Sequence, residues 1–62
     1  METHSLHHPD HTSVVFQIPE DTGAPCVIRI ISLDAGIAAR FEVTRADART
    51  AWRNFRATGF VS

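Results

Sequence analysis

Lysine is absent from the chain, and all six basic residues are arginine. Guanidinium groups grip carboxylates and phosphates bidentately, and without lysine no such contact can be switched by acetylation. A codon bias that favours arginine also accounts for the set. Cysteine occurs once, as Cys26, which excludes an internal disulfide and agrees with a reducing compartment. Long apolar runs are missing too: the best candidate, Cys26 to Leu33, is interrupted by Arg29, so no membrane-spanning segment is expected. The opening METHSLHHPDH has neither a basic start nor an apolar stretch, so the expectation is no secretory signal and a cytoplasmic location.

Catalytic signatures are equally scarce. There is no phosphate loop, no CxxC pair and no paired-carboxylate motif. Ser32 and Asp34 lie near an expected turn, but no ordered histidine completes a triad with them. Cys26 reads as a small buried hydrophobe, since no histidine or helix N-terminus stands by to activate its thiol. A non-catalytic protein with no cofactor is the expectation.

What is present is the composition of a small folded domain. The chain is 44% hydrophobic and 21% charged over 62 residues, near the lower limit for a self-sufficient core. Partners or oligomers are therefore expected. Its formal net charge of −1 hides an asymmetry: residues 1–12 carry −2, residues 13–44 carry −2 and residues 45–62 carry +3.

Residues 1–12 read as a flexible tail. His4, His7, His8 and His11, with Asp10, are the candidate metal ligands, but Pro9 prevents one helix from presenting all four, and the default reading is a mobile segment without metal. Residues 13–62 read as a single domain. Val14, Phe16 and Ile18 alternate along a first strand that Pro19 ends. CVIRIISL, apolar on both faces, reads as a central strand. IAARFEV is a third, with Ile37, Ala39, Phe41 and Val43 on one side.

For the hairpin between the last two strands, a loop of even length that pairs Arg29 with Glu42, Ile30 with Phe41 and Ile28 with Val43 is preferred. A three-residue Asp34–Gly36 loop is the alternative, at the cost of setting Arg29 against Phe41. Thr44 and Asp47 form a capping-box variant that starts a helix of about fourteen residues, and Gly59 with Phe60 suits a Schellman ending. The predicted fold is α+β: a three-stranded antiparallel meander followed by one C-terminal helix packed on one sheet face.

Two surfaces are candidates for function. Ala48, Ala51, Trp52 and Phe55 form the buried helix face, so the helix covers the sheet side that bears Phe16, Ile28, Ile30 and Phe41. The other side, with Val15, Val27, Arg29, Ile31, Leu33 and Arg40, mixes apolar and charged groups as interfaces do. It is the expected site for a protein partner or a second copy. The alternative is the stripe of Arg45, Arg49, Arg53 and Arg56, within an arc of roughly 80°. It would serve an acidic protein or nucleic acid, or else be the solvated back of the helix. Nucleic acid is the less favoured partner, since the rest of the chain is acidic and the pI is near 6.4. An accessory subunit of a larger enzyme is the third reading.

Overall fold

The computed structural model describes residues 1–62. Four strands form one antiparallel meander in the order β1-β2-β3-β4: β1 (Glu2–His7), β2 (Thr12–Ile18), β3 (Cys26–Ser32) and β4 (Ile37–Val43). A single helix, α1 (Arg45–Ala57), follows. The α+β class and the C-terminal helix agree with the sequence. The strand count does not: Glu2–His7, expected as part of a tail, is a fourth strand paired along its whole length with β2.

The turn that makes β1 possible lies in the residues that argued against order. His8 to Thr12 close a three-residue loop in which the His11 N–H donates to the His8 carbonyl (3.0 Å) and the His8 N–H to the Thr12 carbonyl (2.9 Å). This is a type I turn followed by a left-handed residue. Pro9 supplies the preset φ of its first corner, Asp10 the second, and His11 takes φ 70°. The Asp10 carboxylate then accepts from the Thr12 N–H at 2.9 Å, which ties the turn to the start of β2. Leu6, the only aliphatic residue of β1, is fully buried.

The β3–β4 hairpin needs a second correction. Its loop is even in length, as expected, and every side chain keeps its predicted face. The register, however, lies two residues from the expected one: Ile28 faces Phe41, Ile30 faces Ala39, and Arg29 faces Arg40. The expected register would have closed on a two-residue Ala35–Gly36 turn, which requires φ > 0 at Ala35 or glycine in its place. A four-residue loop, Leu33 to Gly36, needs only Gly36 in that region, and Gly36 has φ 65°. Turn chemistry therefore outweighs the Arg29–Glu42 pairing. The displaced charges are met elsewhere: Arg29 Nε donates to Gln17 Oε1 (3.2 Å) and Arg40 Nη1 to Glu42 Oε1 (3.0 Å).

The helix is built as its sequence dictates. Thr44 Oγ1 accepts from the Asp47 N–H at 3.1 Å, capping the first turn. At the other end the Phe60 N–H donates to the Phe55 carbonyl (3.2 Å) and the Gly59 N–H to the Arg56 carbonyl (3.4 Å), with Gly59 at φ 101°. Between these caps Ala48 is buried, and Ala51, Trp52 and Phe55 pack against a core of Leu6, Val14, Phe16, Cys26 and Ile28. Small alanines bring the helix close, while Trp52 and Phe55 meet Phe16 edge to face at 5.3 and 6.3 Å.

α1 crosses the sheet diagonally. It starts beside the end of β4, where Arg45 Nη2 donates to the Pro19 carbonyl. It finishes at the turn end of β1, where Phe60 packs on His8 (4.9 Å) and Val61 bridges His7 through two backbone hydrogen bonds of 2.7 and 2.8 Å. A helix is about 10–12 Å wide and four strands span more than that, so two corners of the sheet stay uncovered. Only six residues are buried. The helix is not long and apolar enough to cross a membrane.

Candidate interaction surfaces

The open sheet face is set by pairing into three rows. Ser5, Val15, Arg29 and Arg40 lie in one, flanked by Thr3, Gln17, Val27 and Glu42 on one side and by His7, Ser13, Ile31 and Ala38 on the other. Five of the six residues expected to interact therefore share this face. The sixth, Leu33, projects from the β3–β4 turn and is 79% exposed. Val15 and Val27 are half-buried among their neighbours, whereas Arg29, Ile31 and Arg40 are exposed. Arg29 and Arg40 stand side by side, an unfavourable pair whose two guanidinium groups each turn to a different acceptor.

The helix side of the sheet holds an apolar surface that sequence reasoning assigned to the core. Phe41 is 51% exposed and Ile37 52%, because the diagonal helix leaves the edge strand β4 largely bare. Alternation correctly placed both on the helix-bearing face. It carried no information on which part of that face one helix can reach, and a count of strands against helix width would have supplied it. Of the six exposed large hydrophobic residues, four (Ile31, Leu33, Ile37 and Phe41) belong to the β3–β4 hairpin or its turn, so the exposed apolar surface is concentrated there.

The other bare corner, beside the start of β1, is a cleft of about 390 Å³ with an apolar floor and a charged rim, lined by Glu2, His4, Phe16, Ile18, Arg45, Ala48, Arg49 and Trp52. His4 Nε2 lies 3.2 Å from Glu2 Oε2, and the His4 ring meets Trp52 edge to face at 5.9 Å. The arginine stripe is thus split. Arg45 is anchored on Pro19 with its Nε buried and without an acceptor, and Arg49 lines the cleft wall. Arg53 and Arg56 are exposed, and none of the four helical arginines forms an ion pair.

The histidines are dispersed by the strand that contains them. His4 points to the helix side and His7 to the open face, where its Nδ1 lies 3.0 Å from Ser13 Oγ. His8 Nδ1 lies 3.0 Å from Asp10 Oδ1, and His11 occupies the turn. No three of the His, Cys, Asp and Glu side chains converge as ion ligands. Hydrogen bonds from the Thr12 hydroxyl, then from its backbone N–H, hold the Asp10 carboxyl below the usual carboxylate range, with the His8 ring adding to the effect. Cys26 is a free, fully buried thiol, and Ser32 and Asp34 have no side-chain hydrogen bond to any histidine. The chain matches no protein-family model, no curated protein and no solved structure.

Proposed function

We propose that this chain is a small non-catalytic interaction module, a regulatory or accessory protein that binds a protein partner, itself included, through the β3–β4 side of its sheet. The observation that carries this reading is the concentration of exposed large apolar side chains on one hairpin. Ile31 lies on the open face, Leu33 in the turn, and Ile37 and Phe41 on the helix side of β4. Isolated exposed hydrophobic residues are ordinary on small proteins, but four of the six lie on one hairpin, beside the charges of Arg29, Arg40 and Glu42, and that mixture has the anatomy of an interface. A core of six buried residues also gives little net stability, which association would supplement. Val27→Asp and Ile31→Asp should dissociate the complex, as sedimentation reads it, while Arg49→Glu/Arg53→Glu still assembles. Assembly kept by the sheet variants and lost by the helix variants would overturn the reading.

A second reading rests on the helix. Arg49, Arg53 and Arg56 have no acidic partner within the chain, and the buried Arg45 Nε lacks an acceptor beside the cleft. An anion, whether an acidic protein surface or a phosphate backbone, would meet them. Binding that falls steeply with salt would favour this second reading, since phosphate contacts release counterions and an apolar surface does not.

A further inference from the structure

We infer that the partner on this surface is a second copy of the chain, added edge to edge along β4 in an antiparallel register centred on Phe41, so that two four-stranded sheets become one of eight strands. The inference rests on the proposed interaction reading and names its partner and geometry. The two edges of the sheet differ. β1 is bridged at His7 by Val61, whereas β4 carries no backbone partner on its outer side. A free edge of seven residues with apolar side chains is a template for another strand.

The sequence of β4 selects the second strand. In a two-fold antiparallel pair whose axis is perpendicular to the sheet, each residue faces one on the same side, so the axis must pass through a residue position. Centring on Arg40 opposes two arginines, and centring on Glu42 opposes two glutamates; both are repulsive. Centring on Ala39 sets Arg40 against Ala38 and Glu42 against Gly36 of the copy, which leaves the charges without cross-strand partners. Centring on Phe41 sets Arg40 against Glu42 of the copy, and the reverse, so four charges of alternating sign form a square on the open face.

Arg40 and Glu42 already meet at 3.0 Å within one strand, which shows that the two side chains lie on one side within reach. On the helix side the same register brings the two half-exposed Phe41 rings together and places Ala39 against Val43 of the copy. It covers Phe41 from both subunits and leaves both helices on one face. The occupant is thus fixed by charge complementarity and by the position of the exposed rings.

The test is a charge swap read by analytical ultracentrifugation. Arg40→Glu alone and Glu42→Arg alone should each weaken self-association about tenfold or more, because like charges then face each other twice. An equimolar mixture of the two variants should restore dimers, of mixed composition, by mass spectrometry. Phe41→Cys should cross-link with itself under mild oxidation. Wild type that remains monomeric at millimolar concentration, or a mixture no more associated than its components, overturns the edge dimer. Cross-linking by Ala39→Cys and not by Phe41→Cys overturns the register. Association that survives both charge variants and is lost with Val27→Asp overturns the edge while leaving the open-face reading in force.

Discussion

The two outer strands are the same kind of element with opposite histories of burial. β1 is short, polar and almost without aliphatic residues, yet it is tied at both ends. Its start is held where the Met1 amino group meets Glu20 at 3.3 Å, and its end where Val61 bridges His7. β4 is the more apolar strand and is bare. Composition thus predicts the reverse of what is found, because burial in a domain this small is decided by where a single helix passes. Leu6 is buried because α1 ends over β1; Ile37 and Phe41 are half-exposed because α1 turns away from the edge strand β4 as it crosses towards β1.

Substitutions can break that contrast. The largest effect should come from Leu6→Ala, which empties a fully buried site. A loss of about 2–5 kcal/mol is expected, enough to lower the melting temperature by many degrees in a domain of this size. Deletion of residues 1–7 should be worse, since it removes a strand, and circular dichroism would show whether any cooperative transition remains. Val61→Pro removes the N–H that reaches the His7 carbonyl and should cost about 1 kcal/mol by chemical denaturation, with faster amide exchange confined to the β1 edge.

His11→Gly tests the turn that creates β1. Glycine holds φ near 70° without the side-chain penalty, so a gain of roughly 0.5–1 kcal/mol is expected. A loss would show that the histidine ring contributes more than its backbone strain costs. Ile37→Lys, on the bare strand, should change the stability of the monomer by no more than about 0.5 kcal/mol. Set beside Leu6→Ala, it measures the difference between the two edges directly.

The smallest effect is a matter of pH. The Asp10 carboxyl titrates below its unfolded value, so its contribution is complete above about pH 4, the ordinary carboxylate range. It is lost as the pH falls through the lower folded value. Asp10→Asn should therefore flatten the acid limb of the stability profile just below pH ~4, between the unfolded and the lower folded value, and leave its shape above about pH 5 unchanged.

Most of the fold was legible in residues 13–62. The alternation of β2 and β4, the two-faced β3, the Thr44 cap and the Gly59 ending each have a local physical cause that survives folding. β1 was not legible by the same means. ETHSLH offers one aliphatic residue, and its strand character depends on a neighbour, β2, that supplies the hydrogen bonds. The signal that was available is the turn: Pro9 and Asp10 occupy the two corners favoured in a type I turn, and a chain that reverses there must lie along β2. The hairpin register failed for a related reason. Pairwise charge attraction of a few tenths of a kcal/mol does not offset the backbone cost of the left-handed Ala35 that the expected pairing requires. For the surface, the side on which each residue lies followed from parity alone, whereas exposure of Phe41 depended on the path of α1.

Trp52 gives the fold a built-in optical gauge. It is the only indole in the chain and sits edge to face between the rings of Phe16 on β2 and His4 on β1, so its emission depends on α1 resting on those two strands. Detachment of the helix moves that emission to longer wavelength as water reaches the ring, whether or not the strands separate. Followed alongside the infrared amide band of the sheet, the same sample reports the docking of the helix and the integrity of the meander as two independent traces, without any added label.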